Sequence, residues 1–393
     1  MKLFVLLSRV PWPLEKGDKL RAYHQLKGLA RKHEIFLCCL SDQKIHPQAF
    51  DHLKLITPNI EVVYLNKFLI GWRLFTALFS SEPFQVRYFY QHRAAKKIEA
   101  AISKFAPDHI YCQLIRTSEY IKNLHQYRKT IDYMDALSAG SKRRAASSSF
   151  FEKWFFNEES KRLMNYENLI FDYFDHHTII SKQDLQLIYH PKRSSITVIP
   201  NGVDNEYFKP KDSIKKYDLL FTGNMSYAPN VASAELLAKE ILPIVLRELP
   251  DTKLLIAGAN PAPAVLSLAS NSIIVSGWME DIRLAYLESR LFVAPMFNGS
   301  GMQNKLLEAM CMRMPCITSP LAAAAFDNAT NNTICIAVDQ EEFAAQIIKM
   351  LKNAELAATF AIAGYNFVRS GFNWEHSTQL LNETICAQLP FTE

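Results

Sequence analysis

Lys305 and Glu308 are the residues of this 393-residue chain whose types and spacing first suggest chemistry. They stand in Phe297-Asn-Gly-Ser-Gly-Met-Gln-Asn-Lys-Leu-Leu-Glu-Ala-Met-Cys-Met-Arg-Met-Pro-Cys-Ile-Thr318. The apolar run 291–295 just before it predicts a buried strand. Gly299 and Gly301 carry no Cβ, so the backbone between them can approach a ligand closely. From Met302 the pattern turns helical, with Leu306, Leu307, Met310 and Met314 on one face. Pro315 stops that helix and 316–318 starts the next strand. A glycine turn feeding a helix N-terminus offers unpaired N–H groups and a positive dipole end to an anion. Lys305, one turn in, adds a full positive charge. Glu308, three residues on, projects near the same face and suits two ribose hydroxyls better than a phosphate. Together Ser300, Gly301, Met302, Lys305 and Glu308 point to a nucleoside diphosphate site. The same stretch also suits an ordinary βαβ turn whose Lys and Glu form a surface pair.

The elements that must position these residues alternate along the whole chain. Strand-like runs fall at 3–8, 35–40, 60–65, 110–112, 130–134, 176–181 and 196–199, with helical stretches between most of them. Asp18 is the expected N-cap of the first helix. Residues 117–124 read as a helix, and one long helix is expected to run from the segment 141–156 to Tyr173. The second half repeats the rhythm, with strands near 217–222, 253–257, 272–276, 291–295, 315–318 and 333–337. This is the βαβ pattern of parallel sheets. The expected organisation is two Rossmann-like domains facing across a cleft. Residues 1–205 form the first, 206–372 the second, and 373–393 a helix returning to the first. Pro200-Asn-Gly-Val-Asp204 is turn chemistry, and the polar run to Lys216 is the best linker.

Composition is globular, at 49% hydrophobic and 21% charged, and no apolar run approaches the roughly 20 residues that span a bilayer. The seven cysteines form no C-x-x-C pair, which argues against a zinc site or a disulfide framework and fits a reducing cytoplasm. The net charge of +5 is uneven: residues 1–200 hold 30 Lys+Arg against 19 Asp+Glu, and residues 201–393 hold 14 against 20. The basic half suits an anionic membrane or an anionic acceptor, and equally a solvated surface without a partner. No nucleic-acid motif is present.

Further candidates lie at predicted strand ends, where open α/β sheets bind ligands. Lys16-Gly-Asp-Lys-Leu-Arg21 has one glycine, so it is no dinucleotide fingerprint. Gly17 could still let the backbone near a phosphate, with Lys19 and Arg21 beside an anion, although a solvated helix start reads the same way. Asp135 ends the strand of Ile131-Asp-Tyr-Met-Asp135, either facing the ligand or capping the next helix. Gly223 and Asn224 follow a strand and offer a turn and hydrogen bonds; Gly277, Trp278 and Met279 follow another. Residues 68–79 and 142–156 mix aromatic, aliphatic and basic side chains. For 68–79 packing on a sheet is the favoured reading, and 142–156 is the membrane candidate. No Ser-His-Asp array, Walker loop or metal cluster is evident.

Gly301-x3-Lys305-x2-Glu308-Ala309-Met310 followed by Pro315 resembles the donor-site signature of retaining glycosyltransferases of family 4, which have the GT-B fold. Arg9-x-Pro-x-Pro-x-x-Lys-Gly-Asp-Lys-x-Arg21 is similar to the opening of a subgroup of exopolysaccharide-locus sugar transferases. Residues 131–138, 199–204 and 223–230 complete the likeness in family order. The resemblance implies transfer of a sugar, with retention, from a nucleoside diphosphate sugar to a hydroxyl acceptor, without metal or cofactor. The acceptor it implies is a lipid-linked glycan at the inner face of the cytoplasmic membrane. It places Glu308 on the donor ribose, the helix start and Lys305 on the diphosphate, and Gly277–Met279 at the base. Asp135 stands where many members have a His near the transferred sugar. Ser300 replaces the first Glu of the family's Glu-x7-Glu pair, and residues 223–238 lack the Arg and Lys usual there. Two other functions compete: a GT-B nucleotide-sugar 2-epimerase, and a noncatalytic nucleotide- or glycan-binding subunit of a polysaccharide assembly complex.

Overall fold

The computed structural model describes residues 1–146, 148–298, 302–326, 329 and 332–387. The chain divides into two compact units, Met1–Pro200 joined by the chain from Ser377 onward, and Asn201–His376.

The first unit is built on strands β1 (Lys2–Leu7), β2 (Glu34–Ser41), β3 (Asn59–Tyr64), β4 (His109–Gln113), β5 (Arg128–Asp132), β6 (His176–Ile179) and β7 (Thr197–Val198). All pair in parallel, in the order β3-β2-β1-β4-β5-β6-β7. Strand β1 shows why. Its side chains alternate between two apolar layers: Phe4 and Leu6 join Ile98, Ile110 and Leu163 on one face. Leu3, Val5 and Leu7 join Leu26, Leu29 and Leu37 on the other. A strand buried on both faces reads as a continuous apolar run.

Helix Trp374–Cys386 closes the second of those layers with Leu381 and Ile385. Fully burying two such side chains is worth about 3–6 kcal/mol in total. The approach is close: a Cβ on Gly28 would lie 2.4 Å from the Thr378 methyl. Only glycine at that point of helix Gly17–Leu29 lets the two helices meet.

The second unit carries β8 (Tyr217–Thr222), β9 (Leu254–Ala257), β10 (Ile273–Gly277), β11 (Ser289–Ala294), β12 (Cys316–Thr318) and β13 (Cys335–Ile336). These too are parallel, in the order β10-β9-β8-β11-β12-β13. In both sheets the order reverses beside the first strand, between β1 and β4 and between β8 and β11. That reversal opens a crevice at the strands' carboxyl ends.

Local departures from expectation have physical reasons. Helix Gly17–Leu29 is preceded by Lys16, which makes no side-chain cap, and Asp18 instead takes a hydrogen bond from Arg9 Nη1 at 2.7 Å. The helix expected over 117–124 is a short 3-10 turn, Ile115–Tyr120. The long helix expected to Tyr173 is Phe150–Phe171, and a separate helix, Leu137–Ala146, precedes it. Ser149 and Glu152 form a capping box that starts the longer helix. Pro200–Asp204 is tied down rather than free. A Cβ on Gly202 would lie 2.3 Å from the Trp374 amide nitrogen, and Val203 bridges to Asn373. Helix Lys67–Ala77 does not bury its aromatic residues: Phe68, Trp72 and Phe75 remain exposed, as does Phe79 just past its end.

Candidate functional site

At the order reversal of the second sheet, β8 ends in Phe221-Thr222 and the chain turns at Gly223. A Cβ on Gly223 would come within 2.6 Å of Asn230 Nδ2 and 3.3 Å of Lys305 Nζ. One on Gly258, just after β9, would fall 1.9 Å from the Gly223 carbonyl oxygen. The glycines thus draw two loops together beneath the lysine. Asn224 is spent inside its own turn, where its Oδ1 accepts from the Ser226 amide and hydroxyl and its carbonyl accepts from Asn230 Nδ2.

Lys305 lies in the first turn of helix Asn304–Cys311, which Leu306, Leu307, Ala309, Met310 and Cys311 anchor in the core. The N-cap residue Gln303 makes no side-chain capping bond to the helix. Lys305 Nζ donates to Asn230 Oδ1 at 2.6 Å and sits 4.8 Å from the centre of the Phe221 ring. Its hydrogen-bond partner is neutral, and burial lowers its pKa to about 7, partly offset by Glu308.

Glu308 turns the other way. Its Oε2 accepts from Tyr286 Oη at 2.7 Å, and that hydroxyl lies 2.9 Å from Thr222 Oγ1. Burial raises the Glu308 pKa, against the opposing pull of Tyr286 and Lys305. The two residues therefore do not form the surface ion pair that their spacing alone allowed. Lys305 faces the glycine turn with no carboxylate partner among the described residues, and Glu308 is held by a buried tyrosine. Such a pair can meet an anion at one end and hydroxyl groups at the other.

Met302 is buried beside this helix start, whereas Ser300 and Gly301 lie outside the described residues. Gly277 closes β10 with φ +67°, a left-handed conformation that favours glycine. Trp278 beyond it is exposed and Met279 half-buried.

The first sheet presents its own loops at the β1/β4 reversal. Gly17 has open space around its Cα, and no close approach depends on it. Lys19 Nζ pairs with Glu15 Oε1 at 2.7 Å. Arg21 is not available to an anion. It is fully buried, bonding Asp132 through Nε at 2.6 Å and Nη2 at 3.2 Å, and the Ile199 carbonyl through Nη1 at 2.9 Å. Tyr111, Thr178 and the Met134 amide fill the remaining sites on Asp132. This is a structural ion pair, and Asp132 outweighs the burial that alone would lower the Arg21 pKa.

Asp135 is half-buried at the carboxyl edge of β5, after Met134 at φ +61°. Its loop is pinned from below. Tyr133 Oη donates to the Glu167 carbonyl, and the Ser138 amide donates to Glu167 Oε1, each at 3.1 Å. The Ala136 amide reaches Asp184 Oδ1 at 3.5 Å. Burial raises the pKa of Glu167 to about 7 and that of Asp184 to about 6.

Four residues at these edges were not singled out from sequence: Asn230, Tyr286, Thr222 and Arg116. Arg116 follows β4 and Leu114, whose φ is +66°. Its guanidinium donates to Gln85 Oε1 at 3.0 and 2.5 Å and lies 5.6 Å from the Phe89 ring. Burial and then Arg9 lower its pKa, so it is a cation held by a neutral partner. The signal for it was one arginine just past a strand at an order reversal, visible only once strand order is known.

Residues 216–353 match the family described as Glycosyl transferases group 1. The chain is 24% identical over 396 residues to an uncharacterized 44.6 kDa protein in the cps region of Klebsiella pneumoniae, a match covering 95% of this chain and 96% of that one. Sucrose-phosphate synthase from Thermosynechococcus elongatus superposes with a TM-score of 0.71 at 14% identity, over 98% of each chain. Anabaena HepE, solved in complex with UDP and glucose, superposes with a TM-score of 0.69 at 13% identity, over 98% of this chain and 99% of that one. The fold is that of GT-B glycosyltransferases, and the second unit carries a glycosyltransferase group 1 domain.

Proposed function

We propose that the protein transfers a sugar from a nucleoside diphosphate sugar to a hydroxyl acceptor, with retention at the anomeric carbon, as a family 4 enzyme. The observation that carries this reading is the ammonium of Lys305. Its hydrogen-bond partner is the neutral Asn230, it has no carboxylate partner among the described residues, and it stands in the first turn of helix Asn304–Cys311, inside the region that matches the glycosyltransferase group 1 family. Lys305 and the helix start neutralise the leaving diphosphate, a task that then needs no metal ion. Glu308, oriented by Tyr286, accepts from the ribose hydroxyls, and the 277–279 segment covers the base. The resemblance assigns Ser300 and Gly301 to the same diphosphate. The leaving phosphate accepts the proton of the attacking hydroxyl on the same face, and Asp135 stabilises positive charge on the sugar.

The acceptor is a lipid-linked glycan of a cell-surface polysaccharide, handled at the inner face of the cytoplasmic membrane; the relative from a cps region supports this. No helix among the described residues is long and apolar enough to cross a membrane. With Arg21 buried, and Lys19 and Arg9 paired with Glu15 and Asp18, the anionic part of the acceptor falls to Arg116. HepE was solved with UDP and glucose, which puts UDP and UDP-glucose first in a panel of donors. A thermal-shift screen of nucleoside diphosphates and their sugars should give one clear rise in Tm, and transfer from that donor should be lost in Glu308→Ala. Donor binding with no transfer to any lipid-linked acceptor would favour the noncatalytic reading instead, which Ser300 in place of Glu keeps in play.

A further inference from the structure

The first unit has a surface whose composition folding does not require. Helix Lys67–Ala77 begins at Asn66, whose Oδ1 accepts from the Phe68 and Leu69 amides. Its inward face is already satisfied by Ile70 and Ala77, with Leu74 packed on the core. The outward face is aromatic. Phe68, Trp72, Phe75 and Phe79 recur at four, three and four residues, the spacing of one stripe. They are 90%, 62%, 53% and 81% exposed. Ring centroids of Trp72 and Phe75 lie 6.0 Å apart and those of Phe75 and Phe79 5.7 Å, so these three rings are contiguous.

A second aromatic group opens helix Phe150–Phe171: Phe150, Phe151 and Trp154 are 83%, 84% and 63% exposed. The two groups belong to one body. Arg162 Nη1 donates to the Ala77 carbonyl at 2.6 Å, and Phe155 packs on Phe84 with centroids 4.9 Å apart. Exposed cations flank them: Lys67, Lys142, Arg144 and Lys153, with Arg144 also 4.4 Å from the Phe156 ring. Residues 67–79 contain no Asp or Glu, and residues 142–156 contain one, Glu152.

We propose that this face docks the protein on an anionic lipid bilayer, with the aromatic stripe of helix Lys67–Ala77 and the first turn of helix Phe150–Phe171 entering the headgroup boundary. Phe and Trp on one helix face with Lys and Arg at its margins suit the plane of that boundary, where aromatic rings meet acyl chains and cations meet phosphates. The sign of the charge selects the occupant. A second copy would set one cationic face against another, whereas an anionic leaflet attracts each cation, by about fivefold in affinity per Lys or Arg. An exposed apolar patch of this size on a soluble surface otherwise favours self-association. The inference does not depend on the donor site, whose residues lie in the other unit.

The test is flotation of the full chain with vesicles of phosphatidylglycerol and phosphatidylcholine, against vesicles of phosphatidylcholine alone. Phe68→Ser with Phe79→Ser, and Lys142→Glu with Arg144→Glu, are compared with the unaltered protein. All four positions are exposed, and the thermal unfolding midpoint without ligand checks that each variant stays folded. The expected result is flotation with the phosphatidylglycerol vesicles, reduced at least about tenfold by either pair of substitutions. Absence of flotation, equal flotation on phosphatidylcholine alone, or unchanged flotation of the aromatic variant overturns the proposal. So does a dimer in light scattering that the aromatic variant abolishes without any vesicle binding, since a second copy would then be the occupant. Failure of donor binding with intact flotation would count against the donor site only.

Discussion

Lys305 should make donor binding pH-dependent in a direction its surroundings fix. In the empty site burial holds its pKa near 7, well below the usual lysine range. A diphosphate beside the ammonium favours the charged form, so binding raises that pKa. Below about pH 7 the side chain is already charged, and binding takes up no proton through it. Above about pH 7 it must gain one, and affinity falls by about tenfold, or about 1.4 kcal/mol, per pH unit until the bound-state pKa is reached. Between about pH 7 and pH 9 the Kd should therefore rise on the order of 100-fold. A nucleotide sugar is the right probe, because its diphosphate has no proton to lose in this window. Calorimetry in buffers of different ionisation enthalpy would count about one proton taken up at the alkaline end. Lys305→Met should bind about 10–100-fold more weakly at neutral pH, the worth of a charge-assisted hydrogen bond, with a Kd that no longer varies with pH. A Kd in the unaltered protein that changes by less than about threefold over that range would refute the argument, as would a slope that survives in Lys305→Met.

Tyr286→Phe removes the donor that orients Glu308 and should weaken donor binding about three- to tenfold in the same titration. Glu167 has its pKa raised from 4.5 to about 7, so its contribution to stability is complete below about pH 4.5 and lost as pH rises through about 7. Urea unfolding at about pH 5 and pH 8 should show a loss on the order of 3 kcal/mol that Glu167→Gln reduces, leaving the smaller part due to Asp184. Asp132→Asn strands the buried guanidinium of Arg21 and should cost about 3–5 kcal/mol, measured by the same unfolding. Arg116→Gln should raise the acceptor KM about tenfold while the donor Kd stays unchanged, since its guanidinium is held at that edge by the neutral Gln85 side chain.

Much of the architecture was legible because buried parallel strands leave continuous apolar runs. β8 occupies the span its residues predicted, and most other strands shift by only a residue or two. Lys305 and Glu308 were legible because a helix face follows from spacing. Their partners were not: Asn230 and Tyr286 come from other elements, 75 and 22 residues away in sequence. Arg21 was misread for the same reason. A cation after a glycine looks like a ligand group until Asp132, 111 residues on, is seen to bury it. Ser149-x-x-Glu152 was a readable helix start hidden in a serine run. Helix Lys67–Ala77 is apolar on both faces, and periodicity cannot say which face turns to solvent.

The contact of Gly28 with Thr378 has a bearing on how the protein is made. The N-terminal sheet cannot seal its second apolar layer until Leu381 and Ile385 have left the ribosome, although its strands are complete by Val198. During synthesis of everything between, Leu26, Leu29 and Leu37 wait with one wall missing, open to chaperones or to misassociation. A nascent chain arrested after Pro200 should accordingly remain protease-sensitive in helix Gly17–Leu29, and gain resistance when a peptide spanning Trp374–Cys386 is supplied in trans.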